Sequence, residues 1–285
     1  AITDLTSLLE QSVKNQMISD VPIGSFLSGG VDSSFITALM QKHSMNPINT
    51  FSIGFYDKSF NEAKHAKEVA NFLGTNHVED YVSPDEAFGV IPGLGKIYDE
   101  PFADPSQIPT YLVSKIARKN VTVALSGDGG DELFGGYNRH VFLKMWESFD
   151  GFPYQARNFA GKLLNAGQKI NLFNILEDID FINFLPKNLN DKVSKISSRL
   201  IDIKDSHELI RSLSMIDNLN HSVINEDLVS ENLEEFHNFE TYQGSLMEKM
   251  TYLDAMKYLP DDILVKVDRA SMANSLETRA PFLDY

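Results

Sequence analysis

The sequence predicts an α/β fold, a parallel sheet flanked by helices with a mostly helical C-terminal half, and three observations carry the prediction. Short apolar runs alternate with stretches of helical hydrophobic period through residues 1–137. Two glycine-rich turns each follow an apolar run and precede a helical pattern, the strand-turn-helix order of a parallel sheet covered on both faces. From Arg139 to Lys257 β-branched runs are few, and Leu, Ile, Phe and Asn dominate.

The elements follow in order. Ile2, Leu5, Leu8, Leu9, Val13 and Met17 recur at three- and four-residue spacing, so residues 2–18 form an amphipathic helix that Asp20 and Pro22 end. Residues 23–27 are a short apolar strand, Ser28-Gly29-Gly30 a turn, and residues 33–40 a helix. The rhythm repeats with a strand at 50–55, a helix at 61–73 stopped by Gly74, a strand at 77–82 and a helix at 84–98 interrupted by Pro92 and Gly93. A loop rich in Pro and Asp at 101–109 leads to a helix at 110–119 and a buried strand at 121–125. Residues 139–257 are expected to be helical, with loops at Phe152-Pro153 and Leu185-Pro186, and no internal repeat is found. Leu259, Ile263, Leu264 and Val267 have the spacing of a core helix face, and Asp268, Arg269, Glu277 and Arg279 are read as a buried charge network beside it, with contact to the substrate as the alternative.

Composition bounds the function. A chain of 285 residues holds one large domain or two modest ones, and 42% hydrophobic with 11% aromatic residues supplies a core. Its 40 acidic residues against 25 basic ones, a net charge of −15, exclude a general nucleic-acid binder, which must neutralise phosphates with Lys and Arg. No apolar run approaches the ~20 residues that span a bilayer, and no signal sequence is evident, so a cytoplasmic protein without membrane contact is expected. The absence of Cys excludes disulfides, thiolate metal ligands and a thiol nucleophile. His65, His77 and His140 lack metal-ligand spacing and read as surface or core, as the nine Met and Trp146 read as packing residues. Residues 212–248 carry eight acidic side chains and no Lys or Arg, which reads as a solvated face, with a docking surface for a basic partner as the alternative.

Chemistry concentrates in two clusters. In Ser28-Gly29-Gly30-Val31-Asp32-Ser33-Ser34, glycines let backbone N–H groups turn inward at a helix N-terminus, which makes a cradle for phosphate. It is not a Walker A loop, because Asp32 stands where a lysine would be; a carboxylate beside phosphate implies a divalent cation, here magnesium. The second cluster, Leu125-Ser126-Gly127-Asp128-Gly129-Gly130-Asp131-Glu132-Leu133-Phe134-Gly135-Gly136-Tyr137, packs five glycines and three acids after another apolar strand. Both clusters should open into one crevice at the carboxyl edge of the sheet, with Asp131 as the second metal-binding carboxylate.

The first cluster resembles the loop of the N-type ATP pyrophosphatases, the PP-loop enzymes of the adenine nucleotide alpha hydrolase-like fold. Together with residues 126–137 and the segment Asp268 to Asp284, which includes Glu277-Thr278-Arg279-Ala280-Pro281-Phe282-Leu283, the chain resembles the synthetase domain of glutamine-dependent asparagine synthetases from about Asp20 onward. The resemblance implies that Ser28, Gly29, Gly30, Asp32 and Ser33 wrap the pyrophosphate portion of ATP. It implies an adenine pocket formed by backbone around Leu27, Ile53 and Gly127, and magnesium on Asp32 and Asp131. Asp128 should face the amino-acid substrate and Tyr137 the reacting centre; the counterpart of Tyr137 in a β-lactam-forming relative takes part in proton transfer.

The implied activity is a ligase reaction of asparagine biosynthesis: the side-chain carboxylate of aspartate is adenylated, pyrophosphate leaves, and ammonia displaces AMP. Uronic-acid amidation, β-lactam formation and a nucleotide-binding module without turnover are the alternatives. Many asparagine synthetases carry Glu where this chain has Asp128, so the acid is less fixed than the chemistry. The family also places a lysine some fifty residues past Pro281-Phe282-Leu283-Asp284, and its glutaminase uses an N-terminal cysteine. The chain is therefore expected to be one excised synthetase domain without the N-terminal glutaminase domain and C-terminal tail, binding ATP poorly or turning over slowly. Residues 1–137 are then its nucleotide-binding α/β part and 138–285 its helical part; the glutaminase domain is the expected partner, and a homodimer is kept open.

Overall fold

In the computed structural model, which describes residues 1–56, 61–169, 189–214 and 242–284, the alternation of the N-terminal half becomes a parallel sheet. Its strands are β1 (Ile23–Phe26), β2 (Asn49–Phe55), β3 (Asn76–Val82), β4 (Val123–Leu125) and β5 (Glu277–Arg279), in the order β3-β2-β1-β4-β5, every neighbouring pair parallel. The crossovers contain α1 (Ile2–Gln16), which leads into β1, then α2 (Val31–His43), α3 (Ala63–Leu73), α4 (Pro84–Val90), α5 (Leu94–Tyr98), α6 (Gln107–Ala117) and α7 (Gly130–Phe134). The parallel sheet flanked by helices is the fold class the sequence predicts.

Strand β1 sits at the centre of the sheet, and the small residues Gly24 and Ser25 at its middle allow close packing there. A Cβ on Gly24 would lie 2.7 Å from the Phe51 ring and 2.8 Å from Asn49 O, so only glycine lets β2 approach. Ser25 is fully buried and hydrogen-bonds Thr37 of α2 at 3.0 Å, which satisfies two hydroxyls that burial would otherwise penalise. One face of the sheet is covered by α1 and α2, whose Leu9, Val13, Ile36, Leu39 and Met40 cluster with Leu125 of β4. The other is covered through Phe51, Ile116, Ala117, Val121, Ala124 and Leu276. Gly74 ends α3 in the left-handed conformation at φ 71°, as its position in the sequence predicts.

The described residues fall into two compact units, Ala1–Gly136 with Tyr252–Tyr285, and Tyr137–Thr251. The second contains α8 (Asn138–Asp150), α9 (Tyr154–Lys169), α10 (Leu189–Asp202), α11 (Ser206–Ser214) and most of α12 (Leu246–Leu253). Within it α9 and α10 are bound by Tyr154 and Asn158, which both donate to Ile201 O, at 2.8 and 3.0 Å. The chain then returns to the first unit through a π-helical stretch, Asp254–Ile263, and α13 (Leu264–Met272). Pro260 lies inside that stretch; π winding widens the turn around a residue that has no N–H to give. The Leu185-Pro186 loop and residues 215–241 of the acidic stretch lie outside the described residues.

The late segment is where sequence and structure part. Glu277–Arg279 is a parallel edge strand on β4, not an extension of a helical half. Nor do its charges form a mutual buried network: Arg269 pairs with exposed Asp99 at 2.6 Å, and Arg279 pairs with Glu277 at 2.7 Å. Arg279 also donates to Gln16 O and Ile18 O at 2.6 and 2.8 Å, placing a cation on the carbonyls that close α1.

His77 on β3 shows what a buried hydroxyl network does to titration. Its ring nitrogens meet Thr50 Oγ1 at 2.9 Å and Ser52 Oγ at 3.1 Å, and burial holds its pKa below the usual 6.5, against the pull of Glu79 in the other direction. The neutral ring is therefore the folded-state form. Its contribution is complete above about pH 6.5 and is lost as pH falls below it. Thermal melts from pH 8 to 5 should show a steeper loss of Tm for the wild type than for His77→Asn, which at pH 8 is less stable by about 1–2 kcal/mol; parallel profiles would refute this.

Candidate active site

Strands β1 and β4 are neighbours in register, with Gly24 opposite Ala124 and Ser25 opposite Leu125. The loops that leave their carboxyl ends are therefore forced side by side. At Gly29 the first loop takes φ +84°, and there a Cβ would strike α3 backbone, 2.6 Å from Ala66 N. Ser33 Oγ ties the loop by accepting from Ser28 N at 3.2 Å and donating to Gly30 O at 3.3 Å, and it lies 3.0 Å from Ser28 Oγ. Gly30 is the N-cap of α2 and offers no side chain to cap the helix, so N–H groups of the first turn face the crevice.

The second loop presses directly on the first. A Cβ on Gly127 would come 2.8 Å from Ser33 N and 3.0 Å from Asp32 C; one on Gly130 would come 2.6 Å from Asp32 Cγ. The glycine density that the sequence shows is thus explained, for two backbones and one carboxylate occupy space that side chains would fill. Between the loops opens a cavity of about 690 Å³, lined among others by Ser28, Asp32, Ser33, Gly127, Asp128 and Asp131.

Electrostatically the cavity is acidic. Burial raises the Asp32 carboxyl, and the charges of Asp131 and Glu132 raise it further. Asp128 is also pushed up, first by burial and then by Glu132 and Asp131, while a hydrogen bond from Ser126 and the charge of Lys266 oppose the rise. Such crowding is unfavourable without a cationic partner. No three His, Asp or Glu side chains among the described residues gather as a metal-binding group. Magnesium held partly by substrate phosphates needs only one or two protein carboxylates, and Asp32 and Asp131 fit that requirement.

Of the residues singled out from sequence, Ser28, Gly30, Asp32, Ser33, Gly127, Asp128 and Asp131 line this one cavity. Gly29 shapes the loop from behind. The side chains of Leu27 and Ile53 belong to the core, Leu27 against Ala66 and Ala70 and Ile53 beside Phe51, so that only their backbone is left for a ligand. Tyr137 opens the second unit, where Arg139 lies over its ring at 4.5 Å and its N–H donates to His140 Nδ1 at 3.3 Å.

One residue went unremarked in the sequence. Lys266 of α13 is buried, with 8% exposure, and is the only Lys or Arg lining the cavity among the described residues. It follows Leu259 by seven residues and Ile263 by three and precedes Ala270 by four, so helical phase places it on the buried face; a lone lysine there was the available signal.

Similarity to known proteins now bears on this geometry. A family model described as Asparagine synthase matches residues 4–285. The chain is 34% identical over 289 aligned residues to Asparagine synthetase [glutamine-hydrolyzing] 1 of Bacillus subtilis, covering 99% of this chain and 42% of that protein. It is 35% identical to a putative asparagine synthetase [glutamine-hydrolyzing] 2 of Methanocaldococcus jannaschii, covering 93% of this chain and 48% of that one. With asparagine synthetase B of Escherichia coli the match is 37% over 152 residues, 47% of this chain. The chain thus spans less than half the length of these relatives. No helix among the described residues is long and apolar enough to cross a membrane.

Proposed function

We propose, since the chain belongs to the asparagine synthase family, that its first unit forms an amide from aspartate at the expense of ATP. The observation that carries this reading is the contact of the two glycine loops at Gly127 and Ser33, which puts a phosphate cradle and the carboxylates of Asp32, Asp128 and Asp131 around one cavity. The loop N–H groups with Ser28 and Ser33 take the β- and γ-phosphates. Asp32 and Asp131 hold magnesium, which when bound neutralises charge building on the pyrophosphate. Backbone around Leu27, Ile53 and Gly127 receives adenine.

The reaction then needs positioning more than acid or base catalysis. A carboxylate oxygen of the acid attacks the α-phosphorus, the bond to the bridging oxygen breaks, and pyrophosphate carries away the electron pair. Ammonia next attacks the acyl carbon, the bond to AMP breaks, and the nitrogen sheds a proton. Asp128, at the cavity wall, faces the ammonium of the amino-acid substrate. Tyr137, by its match to the family motif, acts at the reacting centre. The relatives' names include glutamine hydrolysis, and we extend to this protein a glutaminase partner that supplies ammonia.

The test is release of AMP and pyrophosphate by the intact natural protein with ATP, magnesium, ammonia and a panel of acids. Aspartate should raise release at least tenfold over the acid-free rate. Release only with a uronic acid or a β-lactam precursor would reassign the acceptor, and ATP binding without acid-dependent release would reduce the site to a binding module.

A further inference from the structure

Asp104 lies in the loop between α5 and α6 and is not among the residues that line the cavity. Its Oδ2 meets Lys266 Nζ at 2.7 Å, with side-chain exposure of only 9% and 10%. Its Oδ1 accepts from Ser106 N at 2.7 Å, so each carboxylate oxygen has a fixed partner. The surrounding loop is anchored to the helix of Lys266 at further points. Tyr98 donates to Lys266 O at 3.3 Å and stacks on Phe102, centroids 4.6 Å apart, while Asp99 takes Arg269 at 2.6 Å.

A lysine side chain is long and flexible. Asp104 fixes its end from outside the cavity. It engages one of three donors and leaves the charge and the other two available toward the cavity that Lys266 lines. Lys266 lines the same cavity as Asp128, the residue read as facing the acid acceptor.

We propose that Asp104 is a positioning residue which, through Lys266, presents a fixed ammonium to the anionic group of the acid acceptor. The inference rests on the reading of this site as one that activates an acid with ATP.

Steady-state kinetics of Asp104→Asn, Lys266→Met and the double variant in the intact natural protein decide the matter. Asp104→Asn should raise KM for the acid about tenfold, the scale of one charge-assisted hydrogen bond, with KM for ATP within about twofold. In the Lys266→Met background the same change should alter the acid KM less than about twofold, and Asp104→Glu should restore part of the loss. An unchanged acid KM in folded Asp104→Asn, or multiplicative effects in the double variant, would overturn the proposal. If Asp104→Asn does not fold, Lys266→Met against Lys266→Arg gives the same reading: only the charge-removing change should raise the acid KM, and equal KM values would overturn it. A wild type that releases no pyrophosphate with any acid fails at the functional reading itself, an outcome distinct from a wild type that turns over normally beside an unaffected variant.

Discussion

Asp131→Asn should lower acid-dependent pyrophosphate release on the order of a hundredfold or more, because even outer partners of a metal ligand cost roughly 10- to 100-fold when removed. The substitution keeps the shape of the side chain, so the close approach of Gly136 to Asp131 is preserved. Stability should move the other way. Asp32 is pushed up by burial and next by the Asp131 charge, so at neutral pH its ionised form is held against a cost that Asp131→Asn relieves. A raised folded-state pKa in a carboxyl means that the cost appears as pH rises through it, and melts at pH 7 should show an unchanged or higher Tm. Magnesium-dependent ATP binding measured by calorimetry should fall with turnover. Wild-type turnover in Asp131→Asn would remove this carboxylate from the metal assignment.

Gly29→Ala should damage both the fold and the nucleotide site. At φ +84° an alanine pays the left-handed penalty, and its Cβ would meet Ala66 N and His65 C at 2.6 and 2.7 Å, neither of them the end of a flexible side chain. We expect a loss of about 2–4 kcal/mol, a fall in Tm of roughly 5–10 °C, and a rise in KM for ATP of about tenfold as the loop moves off α3. Gly74→Ala is the control. Its φ is also positive, +71°, but no atom lies within 4 Å of the added Cβ, so only the backbone cost of about 1 kcal/mol remains and KM for ATP stays put. Equal effects of the two substitutions would show that crowding against α3 is not what fixes the loop.

How much of this was legible follows from the range over which each signal acts. The units around β1, β2 and β3 declare themselves locally, through apolar runs, helical period and a glycine or proline at nearly every boundary. The glycine loops were legible for the same reason, since a backbone that must approach another backbone can use no other residue. Strand β5 was not. Glu277, Thr278 and Arg279 have no apolar alternation, and their strand exists because Ser126 N donates to Arg279 O at 2.8 Å and Glu277 N to Thr122 O at 2.9 Å, partners about 150 residues away in the chain. Lys266 is not legible in this way, because a lysine among valines reads as an interruption of a core face until a carboxylate such as Asp104 stands opposite.

The return of the chain to form β5 has a consequence for synthesis. Val123, Ala124 and Leu125 are fully or almost fully buried, yet their outer partner is translated about 150 residues later. At ~5–20 residues per second the nascent chain carries an open, wholly apolar strand edge for roughly 8–30 s. Arg279, on β5 and bound to the carbonyls that close α1, follows β4 by about 150 residues, so the two glycine loops are made well before that strand is added to the sheet. During that interval the open apolar edge of β4 is able to pair with another strand, which is an aggregation hazard. Expression that slows translation between β4 and β5 should therefore lower soluble yield even though no residue of the finished protein is altered.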